Sequence, residues 1–302
     1  MQWISMNNPI GFPGLGLELN PPKGFSIGSL SIHFYGMIIA LGLLLAVIYG
    51  LKRSKQFGLK EDDILDGVLG IVPFAIICAR AYYCIFSWEK EFASNPISVL
   101  YIWNGGIAIY GGVIGAAIGV LVFCKLKKIK IGAVLDIVAL GFLIGQSIGR
   151  WGNFFNREAY GAVTDSFLRM EIYSTIDGVR ACYHPTFLYE SLWNLFGFVA
   201  LHFLSKRRQY DGQIALGYVF WYGLGRTIIE GLRMDSLMWG AFRVSQLLAA
   251  ASCLAALGVL LWQLFRKHEK EKLYVNMVAA AEAAAAEAIP ETEDTENPEE
   301  TE

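Results

Sequence analysis

Seven runs of roughly 17 to 23 residues with little charge dominate this 302-residue chain. Each is about as long as a helix rising ~1.5 Å per residue needs to cross a ~30 Å hydrocarbon core. A soluble enzyme of this size is excluded by the balance of residues, 55% hydrophobic and only 17% charged, with positive mean hydropathy. The runs fall at 31–51, 64–86, 106–124, 133–149, 186–204, 213–230 and 245–265. They predict an all-α, polytopic membrane protein with about seven transmembrane helices and an extracytoplasmic loop between the fourth and fifth.

The formal net charge of −2 hides an asymmetry, since the last 22 residues hold nine acids and no Lys or Arg. The surplus of bases in the rest does not point to nucleic acid, because those bases sit in short loops between apolar runs. Fifteen lie on one alternating side (Lys52, Arg53, Lys125, Lys127 and Lys206 among them), eight on the other, and Arg80 and Arg226 lie within helices. The positive-inside rule then predicts an external N-terminus and a cytoplasmic C-terminus. Residues 1–30 read as an extracytoplasmic segment rather than a cleavable signal peptide, because no cationic start precedes an apolar core. Residues 266–302 read as a cytoplasmic acidic tail, helical from about residue 278 and then disordered. Five cysteines, mostly inside apolar runs and without metal spacing, indicate neither a disulfide framework nor a metal site.

Glycines recur every fourth residue in two runs, Gly111, Gly115 and Gly119, then Gly141, Gly145 and Gly149, as expected for closely packed helices. Charge inside a bilayer costs about 2.5 to 3.5 kcal/mol on insertion scales and demands a partner or a task. Counting ~1.5 Å per residue, Arg80 lies about 24 Å along the second helix and Arg226 about 20 Å along the sixth, both toward the external side. His33, Tyr35, Tyr110, Arg150, His184, Glu190 and Glu230 fall in the same layer, whereas Trp88, Trp103 and Trp239 suit an ordinary interfacial belt. Tyr218, Tyr222, Arg226 and Glu230 share one helical face, so Arg226 and Glu230 can pair. Arg150 and Asn153, flanked by Gly149 and Gly152, suit a turn at a helix exit with donors arranged around an anion. With Arg80 and Arg226 this makes three guanidiniums available to one pocket, and a lipid phosphate is the ligand that such an arrangement suits.

At these residues the chain resembles the prolipoprotein diacylglyceryl transferase family. The resemblance covers about residues 31–265 and is carried by the 149–161 stretch (GRWGNFFNREAYG), with support from HFYG at 33–36, NGGIAIYGG at 104–112, HPTFLYE at 184–190 and YGLGR at 222–226 followed by Glu230. It implies transfer of a diacylglyceryl group from phosphatidylglycerol to the lipobox cysteine of a preprolipoprotein, at the bacterial cytoplasmic membrane, with no cofactor. It also implies that Arg150 and Arg226 bind phosphate and that Asn153, Glu158 and Gly161 are signature residues. Tyr35, Tyr222 and Glu230 match positions linked to activity, and His33 and Arg80 join the substrate-binding set. Two positions depart from the family pattern. Tyr110 stands where many members carry a His proposed as base, and Phe187 where a Gln is usual. A phenol, with an ordinary pKa near 10, is a poor base at neutral pH. Tyr110 therefore either acts ionised beside an arginine or orients the reactants. A transporter of an anionic or lipid substrate is the alternative reading, since transporters also bury charge in helical bundles.

Overall fold

The computed structural model describes residues 2–4, 8–28, 30–234, 238–240 and 242–287. The last stretch of the acidic tail, 288–302, and the side chains of Asn104 and Trp239 lie outside that set, and with them the disorder expected of the tail end. Among the described residues, seven helices have 18 or more residues: α1 Phe34–Arg53, α2 Glu61–Phe86, α3 Ile109–Lys127, α4 Ile131–Asn156, α5 Thr186–Ser205, α6 Gln213–Glu230 and α7 Val244–Leu264. Six are long and apolar enough to cross a membrane. The other, α6, falls short because its 18 residues include Gln213, Arg226 and Glu230. It is sheltered instead, packed against α4, α5 and α7. The molecule is thus a largely helical polytopic membrane protein, and α4 is its centre, flanked by α1, α5 and α6. A shorter helix, α8 Tyr274–Glu287, begins a few residues before the expected position.

Lipid gives helices no hydrophobic reason to associate, so close backbone approach and interhelical hydrogen bonds must hold them. Both glycine stripes serve this end. A Cβ on Gly115 would lie 2.5 Å from the Cβ of Cys78, and Gly111 faces Cys78, Ala79 and Tyr82, which seats α3 on α2. A Cβ on Gly42 would lie 3.3 Å from the Gly145 carbonyl oxygen, and Gly141 and Gly149 face Ala46 and Ile39, which seats α1 on α4.

Helix α6 starts at Gly212, which has no side chain to cap it. The cap comes from α4: fully buried Asp136 accepts the N–H groups of Gly212, Ile214 and Ala215, each at 2.9 Å. Three of the four N-terminal donors that a helix leaves open are met this way.

The all-helical expectation omits several short strands. β2 Ile10–Phe12 pairs with β3 Leu17–Leu19 and with β6 Met170–Tyr173, which pairs with β7 Arg180–Tyr183. A second sheet joins β1 Gln2–Ile4, β4 Gly24–Ile27 and β5 Leu30–His33, so α1 begins three residues later than the apolar run. The larger sheet caps the C-terminal end of α4, burying Ile10, Tyr160, Ile172 and Tyr183 with Phe154 and Phe187. Phe187, one of the two departures from the family pattern, is a core residue here, its ring 5.2 Å from Phe154 and 5.5 Å from Trp151.

The 149–161 stretch also differs from the expected turn. Helix α4 runs on to Asn156, and the chain reverses at Arg157, whose φ is 54°. Gly152 serves packing rather than chain reversal: its Cβ would lie 2.7 Å from the ring of Tyr35. Arg150 and Asn153 therefore project from the last two turns of a rigid helix.

Candidate active site

Two reciprocal hydrogen-bond pairs set the register around α5. On one side Ser147 Oγ donates to the Ser191 carbonyl at 2.9 Å, and Ser191 Oγ donates to the Ser147 carbonyl at 2.8 Å. On the other, Trp193 Nε1 donates to the Trp221 carbonyl at 2.9 Å, and Trp221 Nε1 donates to the Trp193 carbonyl at 2.8 Å, with the indoles stacked 4.5 Å apart. Gly197 and Gly225 leave the space that these rings fill. The first pair places Arg150 of α4 beside Glu190 of α5, and the second places Arg226 of α6 on the other side of the same carboxylate.

The result is a continuous ionic chain. Arg150 Nη2 lies 2.5 Å from Glu190 Oε2, Arg226 Nη1 is 3.1 Å from Glu190 Oε1, and Arg226 Nη2 is 2.6 Å from Glu230 Oε2. Arg233 Nη1 stands 3.8 Å from Glu190 Oε1, and Arg243 Nη1 donates to the Glu230 carbonyl at 2.7 Å. Glu190 and Glu230 are 5% and 2% exposed, so neither can be left uncompensated. Three guanidiniums against two carboxylates leave a positive surplus, which Arg243 increases. The side chains of Arg150 and Arg226 keep 21% and 16% of their surface open. A cluster that is cationic, dry on one side and open on the other is suited to a phosphate.

Of the candidate residues, Arg150, Arg226 and Glu230 meet here. Glu190, Arg233 and Arg243 complete the cluster and were not in the candidate set. Glu190 does stand in the polar layer and in the HPTFLYE segment, so a signal for it existed; Arg233 and Arg243 read from the sequence only as loop bases. Gly161 acts at one remove: its N–H donates to the His184 carbonyl at 2.9 Å and it bridges to Arg233, at a position where a Cβ would lie 2.8 Å from the Leu232 carbonyl. Asn153 Nδ2 donates to Glu158 Oε1 at 2.9 Å, and Asn156 donates to the same oxygen at 3.2 Å, a polar rim at the end of α4.

Tyr222 stacks on Tyr218 at 5.7 Å along the α6 face that leads to Arg226. Tyr218 accepts from Gln146 Nε2 at 2.9 Å, and Gln146 lies one turn before Arg150 on α4. Tyr35 packs on Gly152 and is partly exposed, as is Tyr110 in the first turn of α3. His33, at the end of β5, pairs with Gly24 through the backbone, and its side chain makes no hydrogen bond among the described residues.

Arg80 corrects the expectation of three guanidiniums in one pocket. Its Nε donates to Val99, Nη1 to Gly105 and Gly106, and Nη2 to Ser98 and Tyr101, all backbone carbonyls at 2.6 to 3.5 Å. A guanidinium carries five N–H groups, so none remains for a phosphate. Depth along a helix is legible from the sequence; the partner of a charge is not.

The family profile described as Prolipoprotein diacylglyceryl transferase matches residues 22–262. A Listeria monocytogenes (serotype 4b, strain CLIP80459) protein named phosphatidylglycerol–prolipoprotein diacylglyceryl transferase is 42% identical over 260 residues, covering 83% of this chain and 92% of its own length. Proteins of the same name from Limosilactobacillus reuteri (strain DSM 20016) and Bacillus licheniformis are each 42% identical, over 271 and 259 residues, covering 87% and 82% of this chain and 97% and 94% of their own. With the arginine pair and its carboxylates assembled at one end of the bundle, these matches establish that the chain belongs to the prolipoprotein diacylglyceryl transferase family.

Proposed function

We propose that the protein transfers the diacylglyceryl group of phosphatidylglycerol to the thiol of a lipobox cysteine in a preprolipoprotein, the first step of lipoprotein maturation. The observation that carries this reading is the bridging of Arg150 and Arg226 by Glu190. Glu190 holds the two cations close against their mutual repulsion, and Glu230 fixes the orientation of Arg226. The donor phosphate binds across the open faces of both guanidiniums. The acceptor thiolate sulfur attacks C3 of the diacylglyceryl glycerol, the C3–O bond to phosphorus breaks, and the electron pair leaves with glycerol phosphate. The proton lost by the thiol is balanced by protonation of that product in water. Negative charge grows on the leaving oxygen as the bond lengthens, so preorganised cations favour the transition state over the ground state. The nucleophile is the thiolate of the acceptor. Tyr110 orients the reactants, and Tyr35, Tyr222, His33 and the Asn153–Glu158 rim line the approach.

The orientation that fits is an external N-terminus and a cytoplasmic C-terminus in the plasma membrane of a bacterium. It is supported by Lys52, Arg53, Lys125, Lys127 and Lys206, which gather at the end of the bundle opposite Arg150 and Arg226. Residues 31–265 form the catalytic bundle, and the tail from residue 266 has no part in the chemistry. Purified protein incubated with phosphatidylglycerol and a lipobox peptide should increase the peptide's mass by one diacylglyceryl group. Absence of that gain under conditions where the protein is folded would overturn the assignment.

A further inference from the structure

We propose that Arg80 is a positioning residue which sets the first turn of α3, and with it Tyr110, for the transfer step; the inference rests on the function proposed above. The connection from α2 to α3 has little regular structure, a single turn at Trp88–Phe92 and short 3₁₀ turns at Pro96–Leu100 and Ile102–Asn104. Its surface is apolar and open, with Ile97, Leu100 and Trp103 more than 60% exposed. Such a segment has almost no core of its own. The buried guanidinium of Arg80 supplies one, spending all five donors on carbonyls of residues 98–106 while its carbon lies 5.2 Å from the centroid of the Phe92 ring.

Two of those carbonyls, of Gly105 and Gly106, lie just before α3. Immediately after them the Ala108 N–H donates to the Ala79 carbonyl at 3.1 Å, beside Arg80 itself. Gly111 then packs on Cys78, Ala79 and Tyr82 with no room for a Cβ. Tyr110 lies between these two fixed points and forms no hydrogen bond to a described residue that would hold it independently. Its location is therefore set jointly by the α2 surface around Ala79 and by the connection that Arg80 clamps just before it. Lysine keeps the charge but has three donors on a single nitrogen, which cannot serve carbonyls spread across residues 98–106. Gly106→Ala approaches the same clamp from the other side: φ is +76° there, and a Cβ would lie 2.5 Å from Arg80 Nη1 and 2.6 Å from the Tyr83 ring.

The experiment is a double-mutant cycle read in initial rates of peptide lipidation. Arg80→Lys and Gly106→Ala should each lower kcat about tenfold and leave the KM for phosphatidylglycerol within about twofold. In a Tyr110→Ala background, itself slower than the parent, each should cost less than about twofold, because the placement they disturb no longer matters. Gly106→Ala leaves every charge in place and tests the same coupling even where Arg80→Lys fails to insert. Equal losses with and without Tyr110 would reduce Arg80 to a structural role and overturn the inference, as would full activity of Tyr110→Ala. A KM for phosphatidylglycerol raised about tenfold by Arg80→Lys would make Arg80 a phosphate ligand and equally overturn it. Failure of the parent protein to lipidate the peptide would remove the functional reading itself, a result distinct from all of these.

Discussion

Helix α6 lies between two buried carboxylates that neighbouring helices supply, and they are satisfied in different ways. At its start Asp136 is met by three backbone N–H groups of α6, with Arg208 4.0 Å away and only 4% of that side chain exposed. At its end Glu190 is met by side-chain cations, Arg150, Arg226 and Arg233. Backbone donors are fixed and neutral, so they satisfy Asp136 and leave nothing over for a ligand. Guanidiniums each carry more donors than one carboxylate can accept, so Glu190 gathers them and leaves charge and hydrogen-bonding capacity facing the open side. Two similar acids thus perform different tasks, one building the helix and the other arming it.

That contrast can be broken at either end. Arg226→Ala or Arg150→Ala should lower kcat/KM for lipidation by about a thousandfold, as loss of a preorganised charge stabiliser does, a loss per folded molecule that comes on top of the stability lost when buried Glu190 is short of a partner. Asp136→Ala should cost stability alone. Loss of one member of a buried charge network costs about 3 to 5 kcal/mol, so chemical denaturation should show a marked drop in stability, while activity per folded molecule stays within about threefold. Glu190→Gln lies between them: the two arginines lose the charge that holds them together, and lipidation should fall about a hundredfold, without collapse of the fold. The smallest effect is expected from Gly225→Ala, where a methyl group displaces the Trp193 indole from its seat and shifts α5 against α6. About a tenfold loss of activity, together with a changed tryptophan fluorescence spectrum, would show that the paired indoles set the Glu190–Arg226 register. A severe activity loss in Asp136→Ala, at full stability, would erase the distinction between the two ends.

The helices were legible because membrane spans announce themselves by length and absence of charge, and α6 runs from residue 213 to 230 as read. The pairing of Arg226 with Glu230 followed from helical periodicity alone. What could not be read is whatever depends on which helix faces which. Glu190 bridges Arg150 and Arg226 only because the Ser147–Ser191 and Trp193–Trp221 pairs fix three helices in register, and no spacing along the chain encodes that. Arg80 and Arg226 look alike in sequence, each an arginine within an apolar run, yet one is saturated by carbonyls and the other, held by two carboxylates, keeps 16% of its side chain exposed. The strands escaped notice because they are two to four residues long, and those of the larger sheet are covered only by packing on the end of α4. Gly149 and Gly152 suggested a turn, but in a packed bundle a glycine inside a helix is as useful for the room it leaves as for its backbone freedom.

The central claim is that Arg150 and Arg226 grip a lipid through its phosphate. The most direct test compares the affinities of phosphatidylglycerol and diacylglycerol, which share their acyl chains and differ in the headgroup, for the parent protein and for Arg226→Ala. The parent should bind phosphatidylglycerol at least about tenfold more tightly, and the variant should lose most of that preference; an undiminished preference in the variant would contradict the phosphate clamp.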